Sequence, residues 1–425
     1  MENVANLTLT GASRTTSEKS DSVFMKKIGL RKVCDYLYEV EYDDWDYTDA
    51  MKYFKAHKYV PAACSAVRNG NFFGRNFDWN YDDSAEFIVR SKSSKGRHGS
   101  IGVASSVPSL TNEVAESGVY HESYKMLPCF IRDGINDAGV VCNINVVPVG
   151  DNGYTTGDNG DGMELCGIML VRYILDYANS ADHAIELIRG LNLYMPHSDT
   201  LTREVHFMIA DKNKTYVVEY VNNELVVIDN FVDDKPIMTN FYLAGFDGTR
   251  ESLTPHAAGI ERYNILHDNY DDGATKNGMI GLMQSVYYTK TYDREMSPFW
   301  YSEYYGDFGE SVGDFTIDTP DEDLDGIVDY CITDFNNRVR SDGKTWQTVH
   351  LSVFDIENKR MTVLVQESES ERYEYGFNST ADMDKNYVSQ DSLNNLLSAI
   401  ADAIGGSFTK SWDDVNKVWT FTYTE

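Results

Sequence analysis

The pair Asn69-Gly70 is set between Cys64-Ser65-Ala66-Val67-Arg68 and Asn71-Phe72-Phe73-Gly74-Arg75-Asn76-Phe77-Asp78-Trp79, and it constrains the chain more than any other short stretch. A two-residue type I′ turn needs positive φ at both central positions, and Asn-Gly supplies it most readily. Read as that turn, the pair sets Arg68 against Asn71, and counting outward places Cys64 opposite Arg75. Opposed residues share a sheet face, with Cβ atoms about 4.5–5.5 Å apart. A guanidinium at that range favours thiolate over thiol, so the spacing predicts a cysteine of lowered pKa. Asp78 falls past the paired stretch, where a twist or bulge brings its carboxylate back beside the backbone nitrogen of Cys64. The hairpin alone is equally compatible with a buried strand cysteine flanked by two unconnected surface charges.

The 425 residues allow one large domain with appendages or two medium ones. A formal charge of −30 at pH 7 repels phosphate backbones and anionic lipid, which argues against nucleic acid as a partner and favours a neutral or amphipathic substrate. The cysteines Cys34, Cys64, Cys129, Cys142, Cys166 and Cys331 are scattered, with no C-x-x-C and no close His pair. No metal, cofactor or disulfide framework is therefore expected. The first thirty residues lack an apolar signal core, and no run is long and apolar enough for a membrane span, so a cytoplasmic protein with mostly reduced thiols is expected.

Along the chain, residues 1 to about 20 read as disordered. Residues 23–60 alternate acidic, aromatic and basic side chains around a helix near Ala50, and this whole segment reads as a leader outside the core. From 64 to 367 the pattern is that of a compact α+β domain. Asp161 with Glu164 reads as a capping box ahead of Leu165, Ile168, Met169 and Tyr173, and a second helix runs from Ser180 to Arg189-Gly190. Three strands near 205–209, 216–221 and 225–228 form a meander, and 348–354 with 361–366 form another antiparallel pair. Beyond 367 a polar stretch, an amphipathic helix through Leu393, Leu397 and Ile404, and an aromatic hairpin read as a small appended module.

Cys64 followed by Gly74-Arg75-Asn76-Phe77-Asp78 resembles the opening of the choloylglycine hydrolase and linear amide hydrolase family, which includes bile salt hydrolases, penicillin V acylases and lysosomal lipid amidases. The resemblance continues through Asp133-Gly134-Ile135-Asn136-Asp137-Ala138-Gly139 leading to Asn143-Ile144-Asn145, through Ile237-Met238-Thr239-Asn240, and through Gly259-Ile260-Glu261-Arg262-Tyr263. It implies a four-layer αββα N-terminal-nucleophile (Ntn) hydrolase sandwich of antiparallel sheets spanning 64–367, which sets it between the leader read over 1–63 and the appended module read over 368–425. It further implies that Cys64 attacks, that Arg75 and Asp78 tune the thiol and its amine, that Asn240 donates to the oxyanion and that Arg262 orders the site. Asn145 is the implied second donor, with Asn143 as an alternative, and Arg250 competes with Arg262. Two departures bear on substrate class: Phe241-Tyr242 follows Asn240 where the family carries a small residue or Tyr and then Pro or Asp, and the Cys64-to-Arg75 spacing is short.

A cysteine this far into the chain becomes a terminus only if the Ala63–Cys64 bond breaks, and an N-to-S acyl shift is the step the resemblance implies. The freed α-amine, of reference pKa about 7.7–8.0, can take the thiol proton and return it to the leaving amine. The expected activity is hydrolysis of a linear, non-peptide amide of a small molecule through an acyl thioester, by a monomer or a homo-oligomer. Competing readings are a silent binding or structural protein of the same fold, and an acyltransferase using the same acyl-enzyme.

Two weaker signals complete the reading. Asp321-x-Asp323-x-Asp325-Gly326 matches half of a calcium loop, but Ile332 stands where a bidentate carboxylate is needed. His206 and His350 fall in strand patterns and read as partly buried imidazoles, not as partners of Cys64 in a catalytic dyad.

Overall fold

A computed structural model describes residues 16–56, 64–80, 85–148, 162–195, 203–221, 223–249, 252, 259–286, 346–365, 373–376, 382–383, 407–413 and 418–424. Its elements begin with α1 (Thr16–Ile28), β1 (Arg31–Cys34), β2 (Leu37–Tyr42), α2 (Tyr47–Ala56), β3 (Cys64–Asn69), β4 (Phe72–Asn80), β5 (Glu86–Ser91) and β6 (Ser100–Ala104). They continue with α3 (Asn112–Ser117), β7 (Ile131–Asn136), β8 (Val141–Pro148), β9 (Met163–Cys166), α4 (Leu170–Tyr177), α5 (Ala181–Arg189), β10 (Leu191–Tyr194), β11 (Arg203–Ala210), β12 (Thr215–Val221) and β13 (Glu224–Ile228). Last come β14 (Ile237–Met238), α6 (Ile260–Asp268), α7 (Lys276–Gln284), β15 (Trp346–Asp355), β16 (Arg360–Val365), β17 (Tyr373–Tyr375), β18 (Asp382–Met383), β19 (Ser407–Asp413) and β20 (Val418–Thr424).

Two large sheets carry the fold. The first has the order β1-β2-β5-β6-β7-β8-β11-β12-β13, and the second β14-β3-β4-β15-β16-β17-β18. Every pairing in them is antiparallel except β2 against β5. Strand periodicity explains how they stack, because alternate residues face opposite sides. In the first sheet Tyr38, Val40, Phe87, Val89, Cys142, Ile144, Phe207, Ile209 and Val218 share one cluster with Leu170, Ile174 and Ile185 of α4 and α5. Their sequence neighbours Leu37, Ile88, Val141, Met208 and Val217 pack instead with Val67, Phe73, Leu351 and Val353 of the second sheet. On the far side of that sheet, α6 touches β3 and β14, and α7 touches β4 and β15. The layers are helix, sheet, sheet, helix, as the α+β, αββα expectation requires.

The helix at Ser180 is found as read, with the Ser180 side chain accepting from His183 N. The helix before it differs. Met163–Cys166 is a short strand parallel to Leu191–Tyr194, and helix begins only at Leu170. Asp161 of the expected capping box lies outside the described residues, as do Arg250, the calcium-like loop and the helix near Leu393. The aromatic hairpin is present as β19 and β20, paired Ser407↔Thr424 to Asp413↔Val418.

The expectation that 1–63 stays outside the core is corrected. Strand β2 runs parallel to β5, Leu37↔Glu86 to Tyr42↔Ser91, and Leu37, Tyr38, Val40 and Tyr42 are buried. Trp45 is buried as well, its indole N–H donating to Asp176 at 3.0 Å. Glu39, one of the acidic residues of the segment, is paired with Arg31 and Arg90. What reads as a leader outside the core contains a strand whose apolar residues fill it.

Candidate active site

The β3–β4 hairpin exposes one error of register and its harmless consequence. The turn is Gly70-Asn71, with Gly70 at φ +56°, and the strands pair Asn69↔Phe72 out to Cys64↔Phe77. Asn69 stays in the strand because its side-chain amide donates to Tyr270 O at 2.8 Å. The slip moves each partner by two, so Cys64 and Arg75 keep a common face and become diagonal neighbours. Arg75 closes that diagonal, its Nη2 lying 3.0 Å from Cys64 Sγ and 3.1 Å from Ile144 O.

Cys64 is the first residue of β3 and almost fully buried, at 1% exposure. Here the expected lowering of its pKa is also corrected. Burial, the largest influence, pushes the thiol up to about 11, while Arg75 pulls against it. The Asp78 carboxylate raises it further, and the Asp78 backbone N–H and Arg262 lower it. With the backbone continuous, the sulfur is therefore a thiol held next to a cation, in surroundings too dry for the charge to form.

Two side chains from distant parts of the chain converge on the backbone of Cys64. Asn240, just past β14, accepts from Cys64 N through Oδ1 at 3.1 Å. Its Nδ2 donates to Val146 O at 2.7 Å. Arg262 reaches from α6 with Nη1 2.8 Å from Cys64 O and 3.1 Å from Asp78 Oδ2, and with Nη2 on Asn240 Oδ1. Asp78 is held by that guanidinium and by the Thr348 hydroxyl at 2.6 Å. Gly259 makes the approach of Arg262 feasible. It sits at φ +80°, and a Cβ there would lie 2.7 Å from Arg262 Nη2.

Asn145 lies on β8 opposite His206, accepting from Asn143 Nδ2 at 2.8 Å and donating toward Met238 O and Thr239 O, each at 3.4 Å. It joins the cluster through the strand that delivers Asn240. His206 and His350, read as partly buried, are fully buried. His206 contacts Glu219 at 3.0 Å and Thr239 O at 2.8 Å, while Glu219 accepts from Leu243 N and Ala244 N at 2.8 Å each. That pair fixes the loop carrying Asn240. Glu86, which the sequence did not single out, and Asp133, the first residue of the Asp133–Gly139 motif but given no role there, line the same gap from the first sheet. Their parity with Ile88 and Ile135 on inward-facing strands is the signal that places them there.

Among the described residues no group of three or more His, Cys, Asp or Glu could hold a metal, and no helix is long and apolar enough to cross a membrane. The αββα sandwich of antiparallel sheets is the Ntn fold, and it carries a strand-borne cysteine with an arginine on its sulfur and an Arg–Asn pair on its backbone. Residues 64–247 match the family described as linear amide C-N hydrolases, choloylglycine hydrolase family. Among solved structures, one mutant form of conjugated bile acid hydrolase from Clostridium perfringens is similar at 13% identity, covering 76% of this chain and 96% of that one, with a TM-score of 0.44. A second mutant form gives 12% identity, 77% and 97% coverage and a TM-score of 0.42. Penicillin V acylase from Agrobacterium tumefaciens gives 14%, 71% and 82%, and 0.38. A search of curated proteins finds no match to the chain.

Proposed function

We propose that this linear amide hydrolase is self-processing and uses Cys64 as its nucleophile. The observation that carries the reading is the convergence on one residue: Arg75 3.0 Å from its sulfur, Asn240 3.1 Å from its nitrogen and Arg262 2.8 Å from its carbonyl oxygen. In the first step Sγ attacks the Ala63 carbonyl carbon, the C–N bond to Cys64 breaks, and the thiol proton goes to the nitrogen. Water then splits the Ala63 thioester, leaving a carboxylate and a free Cys64 α-amine.

Freed of the preceding peptide, Cys64 holds nucleophile and base in one residue. The amine takes the thiol proton as Sγ attacks a substrate amide, returns it to the leaving amine, and then activates water against the acyl thioester. Asn240 Nδ2 and Asn145 are the donors for the developing oxyanion, Asn240 exchanging Val146 O for the substrate oxygen. Arg75 steadies the thiolate, while Asp78 and Arg262 orient the amine. The substrate is a linear amide of neutral or amphipathic character, consistent with the charge of −30.

In this reading 1–63 is a leader that stays bound after cutting, because β2 is part of a sheet; 64–367 is the hydrolase domain and 368–425 an appended module. The test is denaturing mass spectrometry of wild type and Cys64→Ala: two polypeptides from the first and one from the second. A wild type that stays whole and hydrolyses no amide is instead a silent binding protein of this fold.

A further inference from the structure

Cys64, Phe77 and His350 form one row across β3, β4 and β15. A bulge at Val349 sets that row, since Thr348 pairs with Asp78 and His350 with Phe77. Two residues that would share a face in a regular strand thus point to opposite faces. Thr348 meets Asp78 on the side of α6, and His350 enters the gap between the sheets, fully buried.

There the imidazole lies between two carboxylates of the facing sheet, Nδ1 2.6 Å from Glu86 Oε2 and Nε2 2.9 Å from Asp133 Oδ2. The same Asp133 oxygen receives Arg75 Nη1 at 3.0 Å, and the other arm of Arg75 is on Cys64 Sγ. Glu86 also takes the Ser105 hydroxyl at 2.6 Å. The Phe77 ring stacks on the imidazole at 5.2 Å and lies 4.6 Å from the Arg75 guanidinium. Among the described residues, Glu86 on β5, Asp133 on β7 and Arg75 on β4 are the charged groups that face His350; Asp78 and Arg262 lie on the other face of its sheet.

A carboxylate oxygen stands against each ring nitrogen, and Arg75 Nη1 also lies 3.2 Å from Nε2; with two carboxylates against one guanidinium the pocket favours the imidazolium, whose two N–H groups both donate. Burial opposes that charge, but Asp133 and Glu86 together raise the pKa of His350. We propose that His350 is a positioning residue for Cys64, the third member of a buried chain of alternating charge, Arg75, Asp133, His350, Glu86, that keeps the guanidinium's field on the sulfur. Asp133 facing Arg75 alone would cancel much of that field. His350 draws on the same oxygen and hands its own charge to Glu86, one step farther from the thiol. Without the imidazolium, two carboxylates face one guanidinium, and the surplus negative charge disfavours the thiolate.

The proposal rests on Cys64 being the nucleophile, and its test needs no turnover. The Cys64 thiolate is titrated by ultraviolet absorbance in the purified full chain, as the difference between each protein and its Cys64→Ala counterpart, so that other thiols and tyrosines cancel. In His350→Gln the midpoint rises by about one pH unit or more, a tenfold loss of thiolate at a given pH. Charge balance is restored in Glu86→Gln/His350→Gln, whose midpoint returns toward wild type. A His350→Gln midpoint equal to wild type, or a double variant as displaced as the single one, overturns the proposal. Should His350→Gln fail to fold, Glu86→Gln carries the test: its surplus positive charge lowers the midpoint, and an unmoved midpoint contradicts the proposal. Loss of self-cleavage and turnover with these shifts intact would remove the proposed function and leave the charge chain standing.

Discussion

Arg75 reaches Cys64 along a diagonal, and this shows how residue-level inference survives an error. The Asn-Gly rule misplaced the turn by one residue, yet a displacement of two in partner number preserves the face. The direction of the thiol's pKa was not legible, because burial depends on the second sheet closing over β3 and no local spacing encodes that. Nor was the orientation of Asn240, whose Nδ2 is occupied by a carbonyl from β8. Replacing Asn240 with Ala should lower kcat by about 10²–10³-fold with KM little changed, measured by steady-state kinetics on any linear amide the enzyme accepts. A loss confined to KM would contradict its role at the oxyanion. The buried charges also set a pH window for stability. Asp133 is held below the ordinary carboxylate range by His350 and Arg75 despite its burial, so its contribution is present above the unfolded pKa and lost as pH falls through the folded one. His350 is raised, so its contribution is complete below the unfolded pKa and lost as pH rises through the folded one. Denaturant unfolding across pH should show both losses, the alkaline one absent in His350→Gln.

At the scale of elements, strands with clean alternation and the Ser180-capped helix were readable, since their signals are local. Two misreadings share a cause. Met163–Cys166, at the start of a helical spacing read from Leu165 to Tyr173, is recruited as a parallel partner by Leu191–Tyr194, and β2 carries acidic residues yet is recruited by β5. In each case a distant strand decides. Leu37, fully buried between the sheets, tests the second: Leu37→Ala should cost about 2–5 kcal/mol in urea unfolding, whereas a dispensable leader strand would give almost none. The start of α6 is equally specific. Gly259→Ala combines a strained φ with a clash against Arg262, so it should cost more than about 1 kcal/mol and slow processing, while an exposed alanine substitution elsewhere on α6 does neither.

For the whole molecule, the layered architecture and the resemblance to the hydrolase family were carried by motifs spread from Cys64 to Arg262, and it takes the fold to show why they are spread. β3 and β4 supply the thiol and its cation, β8 and the segment just past β14 the two asparagines, and α6 the arginine that ties backbone to side chain. Burial of β2 adds a consequence for assembly: after cutting, the leader and the remainder should run as one species under native conditions and as two under denaturing ones. Most of all, the account requires a new amino terminus at the head of β3. Amino-terminal sequencing of the larger polypeptide in purified, folded protein should begin Cys-Ser-Ala-Val-Arg. A folded, catalytically active protein whose backbone runs unbroken through Ala63 and Cys64 would contradict it.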